Sequence, residues 1–225
     1  MADLYVRAQQ QSVGRGVDGT WLALRATRDG SPIVMPWLQA LVLEGRCFSA
    51  PAPQPSTINI TGLTVLAGAS LGDDDKLLYV DIPDGTAFLP LEVRVSSLVT
   101  GAAIAQYLVF VSPTLNGTGG SETAITPINL RLDSPVSTAA TAAHTADTEV
   151  DVLTGVEVWL LHDVTSFDID AAVGFENNRV WNVQNAPVAP VGVDGSSLDV
   201  QLYQVTSGTA FAQATWAELP ESAFL

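Results

Sequence analysis

The chain has 225 residues, of which 47% are hydrophobic, so it is long enough to bury a substantial core. Its formal net charge of −15 repels phosphate backbones and anionic membrane surfaces, which argues against direct binding of nucleic acid by the body of the protein. The single cysteine, Cys47, excludes an internal disulfide, and the sequence has no apolar run of about 18 residues that would span a membrane.

The basic residues are concentrated near the N-terminus. Five of the nine lie within the first 46 residues, where they meet four acids, whereas the remaining 179 residues carry four basic residues and 20 acids. This division predicts a near-neutral arm that bears arginines and a strongly acidic body. Such an arrangement is typical of a protein that docks through one end.

Residues 1–50 are predicted to form an extended N-terminal arm. Residues 9–19 are rich in Gln and Gly and show neither a helical period nor a strand period. Apolar stretches follow at residues 21–24 and 33–43, and turn-forming residues 28–32 separate them. The second apolar stretch is compatible with strands or with a short helix.

A Pro-rich linker is predicted at residues 51–56, because prolines at alternate positions favour a stiff, extended segment with few backbone donors. Residues 57–225 then form the body. Short apolar runs alternate there with Gly, Pro, Asn and Asp, which predicts an all-β protein with a jelly-roll-like β-sandwich body. The eight runs are residues 58–66, 77–82, 88–95, 104–111, 156–164, 180–183, 198–205 and 211–216.

Two of these runs alternate with a period of two. The odd-numbered residues from Leu89 to Val95 are apolar, and so are the even-numbered residues from Leu198 to Leu202. Each run is therefore predicted to place one face in the core and the other in water.

Two long connections, residues 112–126 and 134–147, are predicted to be irregular. Connections of this length inside a compact domain are usually functional, disordered or packed on another subunit. Their small side chains favour packing on another subunit, since they let two backbones approach closely, but a solvated surface loop remains an alternative.

The sequence offers no complete catalytic or cofactor site. Residues 14–19 match Gly-x-Gly-x-x-Gly but lack the preceding apolar strand and the following helix that dinucleotide binding requires. The pair His162–Asp163 has only His144 as a further histidine, too few ligands for a metal site, and no Gly-x-Ser-x-Gly elbow occurs. We therefore expect a protein that is not an enzyme and that holds no cofactor and no metal.

Two acidic groups are weighed separately, residues 73–75 and the set Asp163, Asp168 and Asp170. Carboxylate oxygens are the ligands that calcium prefers, but neither group fits the EF-hand loop. Solvated acidic loops are the favoured interpretation, and a weak cation site at a subunit contact is the alternative.

The tryptophans divide into two kinds. Trp159 lies in an apolar run and is predicted to be in the core. Trp21 and Trp37 belong to an arm without a core of its own, so they are exposed unless a partner covers them. Buried aromatic residues commonly anchor interfaces, which makes these two candidate docking residues.

Three N-terminal segments carry a family resemblance. Residues 6–21 read VRAQQQSVGRGVDGTW, residues 27–30 read TRDG and residues 37–46 read WLQALVLEGR. A fourth segment, IPDGTA at residues 82–87, carries a weaker resemblance. This pattern resembles structural proteins encoded near the head genes of tailed bacteriophages. It looks most like a capsid cement, or decoration, protein, a type in which a jelly-roll-like body commonly forms trimers on the outer face of the capsid.

The resemblance implies a non-enzymatic virion protein that forms a homotrimer on the capsid exterior and stabilises the shell. Its partners would be the major capsid protein and further copies of itself, with no direct nucleic acid and no membrane, after synthesis in the host cytoplasm. The arginines of the arm are then expected to meet acidic capsid surface and its tryptophans to enter grooves. The expected partner-binding residues are Arg7, Arg15, Trp21, Arg25, Arg28, Trp37 and Arg46.

Two other functions stay open at this point. The chain could itself be a jelly-roll capsid subunit, in which case purified protein should build shells or lattices unaided. It could instead be a tail-associated module that binds glycans, with acidic loops that bind calcium.

Overall fold

The computed structural model describes residues 37–53, 63–65, 76–99, 103–113, 122–145, 157–167, 175–186, 192, 195–204 and 208–220. Within these ranges the chain forms one short helix and twelve strands. The elements are α1 (Trp37–Leu43), β1 (Cys47–Ala52), β2 (Leu63–Val65), β3 (Lys76–Asp81), β4 (Thr86–Val99), β5 (Ala103–Ser112), β6 (Glu122–Ile125), β7 (Ile128–Asn129), β8 (Thr141–Thr145), β9 (Val158–Phe167), β10 (Phe175–Asn182), β11 (Ser197–Gln204) and β12 (Gly208–Pro220).

The strands form two antiparallel sheets that pack face to face, so the prediction of an all-β sandwich is confirmed. Sheet I has the strand order β10-β4-β12-β1-β7, with β2 also paired to β12. Sheet II has the order β6-β8-β3-β11-β5-β9. Each of the eight apolar runs read from the sequence overlaps one of these strands.

The pairing of the eight longer strands is nested. In chain order the first pairs with the last, β1 with β12, and the second with the last but one, β3 with β11. The third and fourth pair in the same way, β4 with β10 and β5 with β9. This is the double Greek-key arrangement of a jelly roll. β10 and β9 therefore end the two sheets on one side of the sandwich.

The core lies between the sheets and is centred on three aromatic side chains. The ring centroid of Trp216 lies 6.3 Å from that of Phe48 and 6.2 Å from that of Phe88, and all three residues are buried. Tilted aromatic pairs at this separation stabilise a fold by about 0.5–1.5 kcal/mol each beyond the area that they bury.

A bulge in β4 changes which residues of that strand enter the core. Glu92 pairs with Thr215 but Pro90 pairs with Trp216, so Leu91 is the extra residue on β4. Val93 and Val95 lie in the core. Leu89 and Leu91 lie on the opposite face of sheet I. The predicted single apolar face is therefore wrong for this strand. Pro90 is tolerated at the bulge because a residue without an N–H disrupts the ladder least there.

For β11, the prediction that the apolar residues face the core is confirmed, and the prediction that the polar residues face water is wrong. Leu198 and the alternate apolar residues lie in the core, but Asp199 and Gln201 on the outer face are also buried. Their side chains are paired within that face. Ser197 Oγ donates to Asp199 Oδ2 at 2.9 Å, and the Tyr203 hydroxyl donates to Gln201 Oε1 at 2.8 Å.

The body begins before the predicted linker. All six residues of β1 pair with β12, so the predicted junction between residues 50 and 51 lies inside a strand of sheet I. On the other side of β1, β7 pairs only with Phe48 and Ser49. The portion that contains Pro51 thus has no described strand on that side, and a residue without an N–H is tolerated at such an edge.

Helix α1 packs on the outer face of sheet I. Leu38, Leu41 and Val42 contact the small apolar cluster of Cys47, Leu91 and Ala217. The helix ends in a Schellman motif at Gly45, which has a positive φ of 69°. The Gly45 N–H donates to Val42 O and the next N–H donates to Leu41 O, both at 2.9 Å. Of the two predicted alternatives for this stretch, residues 37–43 adopt the short helix.

The connection from β5 to β9 crosses to the other side of the sandwich. Its strands β6 and β8 extend sheet II beyond β3, and β7 extends sheet I beyond β1. The predicted irregular loops are therefore partly wrong, because they contain β6 and β8. Small side chains permit this pairing, since Ala142 lies between Ile125 and Val80 in adjacent strands and is buried.

Candidate functional site

The predicted docking residues are only partly within the described structure. Five of them lie outside the described residues: Arg7, Arg15, Trp21, Arg25 and Arg28. Trp37 and Arg46 are described: Trp37 is the first residue of helix α1, and Arg46 lies three residues after the end of the helix.

Trp37 is the first residue of α1, and 52% of its surface is exposed. The apolar side of the helix is occupied by Leu38, Leu41 and Val42, which contact sheet I. Trp37 is thus displayed on the outside of the body, immediately after the arginine-bearing N-terminal segment. An exposed indole on an anchored helix is suited to bind a partner.

Arg46 has a structural role through its backbone. Its N–H completes the helix-ending motif by donating to Leu41 O, and its carbonyl oxygen accepts from the Glu218 N–H at 2.8 Å. Arg46 also lines a cleft of about 240 Å³ together with Val136 and Glu218. Arg46 therefore lies at the body rather than on a free arm.

The acid in this cleft, Glu218, already has hydrogen-bond partners for its carboxylate. It accepts from Trp216 Nε1 at 2.9 Å, from the Ala139 N–H at 2.8 Å and from the Thr138 hydroxyl. The carboxylate ties residues 138–140 to β12. A buried acid with this many donors holds the fold together and is not available as a catalytic base.

Two exposed apolar surfaces stand out on the described body. The first, named the ridge here, is formed by the end of α1 and by residues around β7. Its members are Leu43, Ile128, Leu130, Leu132 and Val136, each more than a third exposed.

The ridge contains a strand-like segment with inverted polarity. Ile128, Leu130 and Leu132 point to solvent, whereas Asn129 and Arg131 between them bond to the body. Asn129 Nδ2 donates to Gly45 O at 2.9 Å, and an Arg131 guanidinium N–H donates to Leu43 O at 2.8 Å. The polar side chains hold the segment in place and the apolar ones are left outside.

Leu132 is the most exposed residue of the ridge, at 89%. It lies in a turn closed by a 2.9 Å hydrogen bond from the Ser134 N–H to Arg131 O. The Arg131 guanidinium also bonds Asp133 at 2.9 Å, which lowers the pKa of Asp133 and raises that of Arg131. The turn therefore presents a leucine side chain from an ordered backbone.

The second surface, named the aromatic strip here, runs along β9 and β5 on the outer face of sheet II. Its members are Ile104, Trp159, His162 and Val164. The centroid of the Trp159 ring lies 5.0 Å from that of the buried Phe110 and 5.7 Å from that of His162. His162 Nε2 is 2.8 Å from Gln106 Nε2.

The prediction that Trp159 is a core residue is wrong, because 44% of its surface is exposed. A register shift in the pairing of β9 with β5 places Trp159 opposite Phe110, on the outer face. Leu160 and Leu161, which follow in the sequence, take the contacts with the core. Residues 158–161 are all apolar, so the sequence there gives no sign of which residue faces outward.

Asp163 is engaged on the inner side of the same strand. It pairs with Arg179 of β10, whose guanidinium also donates to Thr165 Oγ1 at 2.6 Å. The other two acids of the set weighed as a cation site, Asp168 and Asp170, lie outside the described residues.

The two histidines are far apart in sheet II. His144 is on β8 and His162 is on β9, with three strands between them. Burial lowers the pKa of His144. Among the described residues, no group of three or more His, Cys, Asp or Glu side chains is arranged to hold a metal ion. Within the same ranges, no helix is long and apolar enough to cross a membrane.

Comparison with known proteins gives no relative. No family model, curated protein or solved structure matches the chain. The interpretation of the site therefore rests on its own geometry: an exposed tryptophan at the start of α1 and two exposed apolar surfaces on the sandwich.

Proposed function

We propose that this protein is a non-enzymatic virion structural protein of the cement type. In this role it forms a homotrimer on the outer surface of a bacteriophage capsid and stabilises the shell, and the N-terminal segment grips capsid subunits or neighbouring cement units. Its partners are the major capsid protein and its own copies.

The observation that carries the proposal is the placement of Trp37. It is exposed at the first turn of a helix that is anchored on sheet I by its apolar side and by the Gly45 motif. The residues before it, which contain four of the five N-terminal arginines, therefore join the body at a fixed place on its outer face. The net charge of −15 on the whole chain, which comes from the acids after residue 46, is compatible with this use, because an acidic surface favours solubility.

Binding of this kind stabilises a shell by mass action. A ligand that binds the assembled lattice better than free subunits shifts the equilibrium towards the lattice. Several linked arms in one oligomer would add avidity without any new contact. The arginines would supply attraction that weakens with salt, since exposed charges are screened over about 8 Å at physiological ionic strength.

Co-sedimentation with capsids from the source particle tests the proposal. Reversal of Arg7, Arg15, Arg25 and Arg28 to Glu in the full chain should abolish binding, and Trp37→Ala should weaken it at least tenfold. Arg94→Glu is the matched control, because Arg94 is an exposed arginine of the body, paired with Glu92. Capsid binding that survives both arm variants would sink the proposal.

Full-length variants are preferable to a truncation in this experiment. A chain that starts at residue 56 lacks β1, which lies between β12 and β7 in sheet I. Loss of capsid binding by that truncation would then report unfolding rather than loss of the arm.

A second candidate function is that of a jelly-roll capsid subunit. The presence of exposed apolar surfaces on both sides of the sandwich favours it, because a lattice subunit needs contacts in more than one direction. Electron microscopy of the purified protein distinguishes the two functions: closed shells or extended lattices support a capsid subunit, and discrete small oligomers support a cement protein.

A further inference from the structure

A buried histidine lies in the part of sheet II that is farthest from the aromatic strip. His144 is on β8, and only 9% of its surface is exposed. Ala142, two residues earlier on the same strand, belongs to the core. Alternate residues of a strand share a face, so His144 also lies on the inner face of sheet II. An ionisable side chain is therefore turned towards the interior of the sandwich.

The imidazole of His144 has no partner that would stabilise a positive charge. Within the described part of the chain, its Nδ1 atom has no hydrogen-bond partner. Protonation makes both ring nitrogens donors, so Nδ1 would become a buried N–H without an acceptor. A buried donor that lacks an acceptor costs the free energy of its desolvation. The neutral form of His144 is thus the form that fits the folded protein.

Among the described neighbours of β8, no charged residue is placed on this inner face. The elements that pack against β8 are β3, β6 and β1. Asp81 of β3 and Glu122 of β6 pair with the two threonines of β8, which alternate with its inner-facing residues. Lys76 of β3 pairs with Gln201, which is on the outer face. β1 contains no charged residue. No carboxylate is therefore placed to pair with a protonated His144.

The sign of the resulting pH dependence follows from burial. Burial lowers the pKa of His144 below its ordinary value of 6.5, because the charged imidazolium is poorly solvated inside the protein. The unfolded chain therefore takes up the proton at a higher pH than the folded protein does. The contribution of this side chain to stability is fully present above pH 6.5 and is lost as the pH falls below that value.

The strands around His144 are the least extensively paired part of sheet II. β8 pairs with β3 over three residues, from Tyr79 to Asp81, and His144 directly follows the last of these pairs. β6 ends the sheet and pairs with β8. By contrast, β11 pairs with β5 over eight residues. Elements that are held by few backbone pairs open at a lower free energy than the rest of a fold.

We infer that His144 makes β6 and β8 an acid-sensitive extension of sheet II. Protonation of its imidazole in mildly acidic solution releases β6 and β8 from β3, while the other strands stay folded. Most of the ridge lies in the connection between these two strands. In acid its attachment to the body would then depend on β7 and on the hydrogen bonds of Asn129 and Arg131. This inference concerns the fold and does not rest on the proposed function.

Hydrogen exchange of the full chain at pH 7.5 and pH 5.5 tests the inference, with exchange times scaled for the effect of pH on the intrinsic rate. At pH 5.5 an exposed imidazole is protonated about ten times more often than it is neutral. The equilibrium for opening β6 and β8 should therefore rise by up to about tenfold between the two pH values. Amides of β4 and β12 should keep their protection.

Two variants and a matched control assign the response to this side chain. His144→Leu removes the ionisable group and leaves an apolar side chain on the inner face, so protection of β6 and β8 should be the same at both pH values. His144→Gln serves the same purpose if the leucine variant does not fold. His162→Gln is the control, because His162 is the other histidine of the chain and is exposed. That variant should keep the wild-type response.

Acid also acts on carboxylates, and Glu218 holds residues 139 and 140 immediately before β8. A loss of protection that persists in every folded His144 variant would assign the response to such a group and overturn the inference. Unchanged protection of β6 and β8 in the wild-type protein would also overturn it. So would an equal loss in β4 and β12, because the sandwich would then open as a whole.

Discussion

Arg179 on β10 and Asp163 on β9 form an ion pair that joins the two sheets on the side of the sandwich where both sheets end. The guanidinium also bonds Asn177 Oδ1 at 2.5 Å and lies 5.5 Å from the ring centroid of the buried Tyr107. The Tyr107 hydroxyl is in turn 2.6 Å from Ser97 Oγ on β4. A polar network thus closes one side of an otherwise apolar core.

Arg179→Met should lower the free energy of unfolding by about 1–2 kcal/mol, because Asp163 and Asn177 lose a charged donor at a partly buried position. Urea denaturation followed by tryptophan fluorescence measures the change. Arg94→Met is the control, since Arg94 forms an exposed pair with Glu92 and should cost less than about 0.5 kcal/mol. Equal effects of the two substitutions would show that the network does not link the sheets.

Gly45→Ala should destabilise the protein more than Gly85→Ala. Both glycines have a positive φ, 69° and 80°, so each substitution costs about 1 kcal/mol from the backbone alone. A Cβ at Gly45 would also overlap Ser134 Oγ, whereas a Cβ at Gly85 meets no atom within 4 Å. The difference in thermal midpoint between the two variants isolates the clash. Partial rescue of Gly45→Ala by Ser134→Gly is expected, and its absence would contradict this explanation.

Glu218→Gln should cost about 2 kcal/mol or more. The two carboxylate oxygens accept hydrogen bonds from the Ala139 N–H, the Thr138 hydroxyl and Trp216 Nε1. In Gln an NH₂ group replaces one of these oxygens. That group is itself a donor, so it cannot accept from these donors, and at least one of the hydrogen bonds is lost. Chemical denaturation gives the total loss, and hydrogen exchange at Ala139 shows whether the loop is released from β12. Unchanged protection of that amide would count against the assigned role.

The buried Cys47 predicts a loss of stability at alkaline pH. Burial raises the pKa of its thiol from the ordinary value of 9.0 to about 11. The unfolded chain therefore releases the thiol proton at a lower pH than the folded protein. The contribution of this thiol to stability is fully present below pH 9 and is lost as pH rises from 9 to 11, by about 2–3 kcal/mol. Cys47→Ala removes this contribution. The difference in the free energy of unfolding between the wild-type protein and the variant should therefore change with pH only between pH 9 and pH 11.

The same burial predicts that Cys47 is unreactive in the folded state. Thiol reagents attack the thiolate, which is scarce when the pKa is raised and the side chain is inaccessible. Labelling at pH 8 should proceed at the rate of unfolding and accelerate in urea. Rapid labelling of the native protein would contradict the placement of this residue.

Much of the sandwich could be predicted from the sequence. The eight apolar runs and the turn residues between them mark strands that the structure contains, and the inner face of β11 follows the alternation. Their number and spacing suffice to indicate a sandwich, because short strands separated by turns bury their apolar faces most readily between two sheets.

Other features depend on interactions that a linear pattern does not contain. β1 includes Pro51, which local propensity counts against a strand, yet pairing with β12 places it in sheet I. The bulge at Leu91 comes from pairing with β12 and reverses the faces of β4. The exposure of Trp159 depends on the register between β9 and β5.

The candidate site shows the same division. Trp37 was expected to be exposed as part of an arm without a core. It is exposed, but it lies on helix α1, which packs on the body. The ridge was missed, although residues 128–132 alternate plainly between apolar and polar. An alternating sequence shows that the segment has an apolar face and a polar face, but it does not show which of them packs on the body. Here the hydrogen bonds of Asn129 and Arg131 place the polar face against the body.

The way α1 joins sheet I also has a mechanical consequence. Any tension on the N-terminal segment passes through the helix and its Gly45 turn to Cys47, the first residue of β1. β1 is aligned with β12 over six consecutive residues, so the force is shared by several backbone pairs at once rather than opening them singly. A partner bound through that segment would therefore pull against six paired residues of β1 and, through β12, against the body as a whole.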